Sequence, residues 1–279
     1  MIKYELLPEQ LLYEGTATRE NFFQPDRLEE EIILLTHEQD YWDRLKHQRL
    51  SEKEIRAIGF PMSERLIERG RHIAQGTIQC ALFARQDGVS LNTAGGTHHS
   101  FSYKGEGFCI LNDIAIAANY LLHEKLAGKI LIIDLDVHQG NGTAQIFQNE
   151  KRVFTFSMHG EKNYPLHKVE SDLDIGMPDE TGDRQYLDTL RQTLPDLLQS
   201  VQPDIAFYLS GVDPLKTDKL GRLSMSIRGL KSRDRFVFES LQERNIPVAV
   251  SMGGGYSERI AHIIEAHANT YRVAREIFF

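Results

Sequence analysis

Five short apolar runs rich in β-branched residues recur along the chain: GVSLNT (88–93), KILIIDL (129–135), RVFTFSM (152–158), DIAFYLS (204–210) and IPVAVSM (246–252). Longer stretches of helical periodicity cover 62–85, 112–125, 183–200, 227–244 and a C-terminal segment after Tyr256. Runs that are apolar throughout, rather than alternating, suit strands buried on both faces. Their alternation with helices predicts an α/β fold, a mostly parallel sheet flanked by helices on both faces. The first sixty residues, with an acidic stretch at 28–38, read as surface helices and loops without an assigned role.

No linker, repeat or low-complexity tract breaks the 279 residues, so one domain over 1–279 is expected. Forty acidic against thirty-two basic residues leave a net charge of -8, the wrong sign for holding nucleic acid through its phosphates. The same sign mildly favours cationic partners. Cys80 and Cys109 form no C-x-x-C or disulfide-like spacing, the amino terminus has no signal-peptide pattern, and no segment is long and apolar enough to span a bilayer. A cytoplasmic protein with no membrane association is expected.

In open α/β sheets, ligands bind beyond the carboxyl ends of the strands. Directly after the five runs stand GGTHH (95–99), DVHQGNG (136–142), SMHG (157–160), SGVDP (210–214) and GGGY (253–256), so every cluster of reactive side chains is expected at one edge. Asp134, Asp136 and His138 alternate at the end of the second run, and alternate residues of an extended chain share a face. An Asp-x-His pair with one more carboxylate, Asp213, makes a three-donor site that leaves positions open for water and substrate. Taken alone, aspartates at strand ends more often order a turn.

His98 and His99 follow two glycines; in a turn both rings can face one centre and serve as acid and base near neutral pH. Tyr256, after three glycines, can donate its hydroxyl to a developing oxyanion.

Together GGTHH, GFCILNDIAIAAN (107–119), IDLDVHQGNGT (133–143), SGVDPLKTDKLGRLSMS (210–226) and MGGGY resemble the histone deacetylases, in order from about Ile58 to Tyr256. The resemblance implies the arginase/deacetylase fold and a zinc-dependent amidohydrolase that removes acyl groups from lysine-like amines. It places the metal ligands at Asp136, His138 and Asp213, the transition-state tyrosine at Tyr256, and the tandem histidines at His98 and His99, with Asp134 orienting His98. It further implies a potassium site from Asp134, Asp136, His138, Ser157 and Met158, and a substrate tunnel at Gly107 and Phe108. The O/N donor set accepts Zn²⁺ or Fe²⁺.

Where most of the family has Asp, this chain has Asn141, which resembles the class IV branch. Asn141 can accept a hydrogen bond from His99 but brings no charge to an imidazolium, so His99 is expected to be less basic than an Asp-paired histidine. The class IV likeness also implies a preference for long-chain fatty acyl groups over acetyl. The expected partner is an acyl-lysine protein or peptide. Three alternatives stay open: an acetylpolyamine or other small-amide deacetylase, an arginase-like two-metal enzyme, and a non-catalytic acyl-lysine scaffold.

Overall fold

A computed structural model describes residues 2–279. Among them, six strands form one sheet: β1 (Val89–Asn92), β2 (Ile130–Asp134), β3 (Val153–Gly160), β4 (Leu173–Met177), β5 (Ile205–Leu209) and β6 (Val248–Ser251). Their spatial order is β1-β6-β5-β2-β3-β4, and every neighbouring pair is parallel.

The sheet is covered on both faces, as the continuous apolar runs require. In β2, Leu131 and Ile133 join a core with α8 (Asp183–Val201), α9 (Ile227–Gln242) and α10 (Ile260–Phe278). Ile130 and Ile132 point the other way, into a second core with α5 (Glu64–Asp87) and α6 (Asp113–His123). β5 divides likewise, Ala206 and Tyr208 against Ile205 and Phe207. The period of two is what lets one strand serve both layers. The long helices carry the start signals their sequences suggest: the side chains of Ser63, Asn112 and Ser226 accept from Leu66, Ala115 and Gly229 N–H at 3.2, 3.0 and 2.9 Å.

The sequence reading falls short in three places. β4 (LDIGM) is not among the strands expected from sequence: it pairs only with β3, at the sheet edge, and Asp174 and Gly176 are exposed, so it needs no continuous apolar run. The segment after β2 is partly helical, because α7 (Asn141–Phe147) starts at Asn141 itself. Lastly, the first sixty residues are more than a surface layer. Leu7 and Leu11 of α1 (Lys3–Tyr13) pack with Met252 and Ile264, and Tyr41, Trp42 and Leu45 of α3 (Gln39–Lys46) are buried in the α5/α6 core.

One buried cation knits the strand ends beneath the site. Arg233 on α9 is fully buried; it pairs with Asp234 at 2.8 Å and donates to the carbonyls of Leu135, Gly211 and Ser210 at 3.1, 2.8 and 3.3 Å. Asp234 also accepts from Tyr208 and Thr270 at 2.6 and 2.7 Å. Arg233→Ala leaves a buried carboxylate without its counter-charge, so urea denaturation is expected to show a loss of about 3–5 kcal/mol; a loss below about 1 kcal/mol would mean the ion pair is not what holds these ends. No helix among the described residues is long and apolar enough to cross a membrane.

Candidate metal centre

After β2 the chain bends through Asp136, Val137 and His138. Leu135 and Val137 enter the α8/α9/α10 core, while Asp136 and His138 meet in one cluster and Asp134 meets His98, so the alternation in sequence holds through the bend. Asp213, in the loop after β5, completes a cluster in which one donor atom each from Asp136, His138 and Asp213 lies within 4.8 Å of the others. His138 Nδ1 stands 3.0 Å from Asp136 Oδ1 and 3.2 Å from Asp213 Oδ2.

Backbone amides fix the carboxylates. Asp136 Oδ1 accepts from His138 N–H at 3.0 Å and Oδ2 from Gly254 N–H at 2.9 Å, while Asp213 Oδ1 accepts from Val137 N–H at 2.9 Å. Asp213 Oδ2 is buried with no hydrogen-bond partner, despite its nearness to the His138 ring. Gly254 has no substitute here, since a Cβ would lie 2.0 Å from that same oxygen.

The electrostatics call for a positive charge among these atoms. Burial alone would lower the His138 pKa, but the hydrogen bond of Asp136 and the nearby carboxylates of Asp136 and Asp213 prevail and push it up to about 10. Burial, then the charge of Asp136, pushes Asp213 up to about 7. Two carboxylates and a neutral imidazole balance a divalent cation formally, and an orphaned buried acceptor is what such an ion would satisfy. The donor set therefore fits the metal expected from sequence.

The two histidines meet the cluster from the turn after β1, with ring centroids 4.1 Å apart. His98 Nδ1 is 2.7 Å from Asp134 Oδ2. Burial opposes protonation of His98, but the Asp134 charge and this bond outweigh it and raise the pKa to about 8. His99 Nδ1 is 2.7 Å from Asn141 Oδ1. Its pKa is held well below the usual range, by burial first and then by the neighbouring His98 and His138; the bond to Asn141 acts in the opposite sense. The expected low basicity of His99 thus has burial as its main cause.

His98, His99, Asp136, His138 and Asp213 line a cavity of about 610 Å³ together with Gly107, Phe108, Tyr164 and Tyr256. Phe108, 43% exposed, has its N–H held by Ile58 O at 2.8 Å and stacks obliquely on Phe60 at 5.0 Å. A Cβ on Gly107 would sit 2.5 Å from His99 Cδ2, so glycine there lets the cavity wall approach the histidine. Tyr256 is positioned through its backbone, whose N–H donates to Asp218 Oδ2 at 2.6 Å; its ring is 6.1 Å from that of Phe108.

For the implied potassium site, Ser157 stands opposite Asp134 in the β2–β3 register, with its Oγ 2.9 Å from His159 Nδ1. The Met158 side chain lies in the core, so only its backbone is available to an ion.

Three neighbours of the site were not singled out from sequence. Tyr164, in the 160–167 loop, sets its ring edge-on to His99 at 4.9 Å. Glu106 accepts from Asn141 Nδ2 at 2.6 Å and from the Tyr164 hydroxyl at 2.9 Å. Lys3 of α1 donates to Gly253 O at 3.2 Å, with Nζ 5.4 Å from the Tyr256 ring centre.

Known proteins of the same kind are numerous. The histone deacetylase domain profile matches residues 2–271. An uncharacterized protein of Picosynechococcus sp. is 44% identical over 278 residues, covering 100% of this chain and 93% of that one. The acetoin utilization protein AcuC of Staphylococcus aureus is 32% identical, covering 92% and 72%, and histone deacetylase 2 of Arabidopsis thaliana is 29% identical, covering 91% and 68%. In fold, the chain superposes on a histone deacetylase homolog solved with SAHA, with a TM-score of 0.84, 23% identity and coverage of 97% and 77%. A second homolog, from Aquifex aeolicus, gives a TM-score of 0.82 with coverage of 96% and 77%. With that profile spanning nearly all of its length, the chain belongs to the histone deacetylase family.

Proposed function

We propose that the protein is a metal-dependent deacylase, a single catalytic unit that hydrolyses the amide between an acyl group and the ε-amine of lysine. The observation that carries this reading is the convergence of Asp136, His138 and Asp213 on one point, facing His98 and His99 inside a cavity whose wall includes Tyr256.

Asp136, His138 and Asp213 would hold a divalent cation, Zn²⁺ or Fe²⁺, which supplies Lewis acidity to polarise the acyl carbonyl and acidify a water. The residues do the rest. Phe108 and Tyr164 flank the lysine methylenes, and the half-buried aromatic mouth limits water to the molecule that reacts. Neutral His99 accepts the proton of the attacking water, with His98 and its Asp134 partner holding positive charge beside it. Tyr256 donates its hydroxyl to the oxyanion of the tetrahedral intermediate. As the C–N bond breaks, the proton held by His99 passes to the leaving nitrogen, giving free amine and carboxylate. Asp134, Ser157 and the backbone of Asp136, His138 and Met158 are the residues we assign to a structural potassium ion.

An acyl chain longer than acetyl is favoured by the lining of the same cavity, which includes Ile73 and Tyr4 besides the aromatic walls. Metal analysis with a chain-length series of acyl-lysine peptides and acetylpolyamines tests the reading. Expected are one divalent ion per chain, activity lost on chelation and restored by Zn²⁺ or Fe²⁺, and faster turnover of acyl-lysine than of acetylpolyamine. Two ions per chain would point to an arginase-like centre. A metal-loaded protein inert across the whole panel would make it a scaffold.

A further inference from the structure

Glu106 lies outside the metal ligands and the histidine pair, yet it is tied to both the base and the tunnel wall. Its Oε1 accepts from Asn141 Nδ2 at 2.6 Å and from the Tyr164 hydroxyl at 2.9 Å, and its Oε2 accepts from Lys104 Nζ at 2.7 Å. The segment that carries it is pinned: Cys109 N–H donates to Glu106 O at 2.9 Å, and Gly107 N–H to Ala57 O at 3.0 Å.

An ionised carboxylate only accepts hydrogen bonds, so Asn141 must offer it the amide NH₂. The other end of that amide, Oδ1, then faces His99 Nδ1 at 2.7 Å. An amide oxygen cannot donate, so His99 must carry its proton on Nδ1, which leaves the lone pair on Nε2. With an Asp in place of Asn141 a single carboxylate would impose this tautomer. A neutral amide has no such preference, because either of its ends could turn to the ring.

We propose that Glu106 is a positioning residue that fixes the Asn141 amide, and through it the His99 tautomer, thereby performing at one remove the orienting role of the carboxylate that this chain lacks at Asn141. The inference rests on His99 being the base of a deacylase. Tyr164, bound to the same oxygen, is held against His99 by the same anchor.

The test combines kinetics with ¹⁵N-histidine NMR of the zinc-loaded chain, the His99 signals being assigned by their loss in His99→Gln. In the wild type, His99 is expected as the Nδ1–H tautomer. Glu106→Leu is expected to give a mixture of tautomers and to lower kcat by ~10–100-fold, the range seen when an orienting partner is lost. Asn141→Asp alone sets two carboxylates against each other and is expected to lose activity as well. The double variant Glu106→Leu/Asn141→Asp supplies one carboxylate directly and is expected to recover the Nδ1–H tautomer and most of kcat, a coupling that independent structural damage would not produce.

Tyr164→Phe is expected to change KM while leaving the tautomer intact. A Glu106→Leu protein with wild-type tautomer and kcat would overturn the proposal. So would a double variant no better than Glu106→Leu, or a Tyr164→Phe protein that reproduces the tautomer change. The NMR arm needs no turnover, so a chain with no deacylase activity would still report whether Glu106 sets the tautomer.

Discussion

Asp213→Asn is expected to leave a folded protein that no longer retains a divalent ion after dialysis and no longer turns over acyl-lysine. The ion's electrostatic share of catalysis is several kcal/mol, so the fall in kcat/KM should be about a thousand-fold or more. The asparagine keeps an acceptor for Val137 N–H, now met by Asp213 Oδ1 at 2.9 Å, so the local backbone has no reason to move.

Stability supplies a second readout of opposite sign. Burial and the charge of Asp136 raise the folded-state pKa of Asp213 from 3.8 to about 7, so the metal-free folded chain binds that proton more tightly than the unfolded one. Its contribution to stability is therefore complete below about pH 4 and lost as pH rises toward 7. Asp213→Asn removes that penalty. Metal-free variant should be at least as stable as metal-free wild type at pH 8, whereas only wild type should gain stability from added zinc. A metal-free variant much less stable than wild type would show the carboxylate to be structural rather than a ligand.

Tyr256→Phe is expected to keep the metal at wild-type stoichiometry and lose ~10²–10³-fold in kcat, the usual effect of deleting one oxyanion donor. KM should change little, because the hydroxyl is asked to act in the transition state more than in the ground state. Neither the backbone contact to Asp218 nor the ring packing near Phe108 depends on the hydroxyl. A fully active phenylalanine variant would remove Tyr256 from the mechanism.

What could be read in advance follows from how local each signal is. β2 and β5 were legible because both of their faces are buried, which writes a continuous apolar run into the sequence. β4 was not, since an edge strand tolerates Asp174 and Gly176. Asp136, His138 and Asp213 were legible because donor residues at strand ends of a parallel sheet must converge on one edge. Tyr164 and Glu106 reach His99 and Asn141 through loops with no periodicity, and Lys3 reaches Gly253 across almost the whole chain. No local pattern encodes such encounters. The helical start at Asn141 was hidden for a related reason: the residue reads equally well as part of a glycine-rich loop.

The spatial order of the strands bears on how the chain is made. β2 must wait for β5 before it gains its neighbour across the middle of the sheet, and the edge strand β1 has no neighbour until β6. Between the end of β2 at Asp134 and the start of β5 at Ile205 lies a delay of roughly 3.5–14 s on the ribosome at ~5–20 residues per second. During that interval the apolar flank of β2 has only β3 beside it, and His98, His99, Asp136 and His138 are already synthesised without Asp213. The proposed ligand set is thus incomplete until Asp213 has emerged, after about three quarters of the 279 residues.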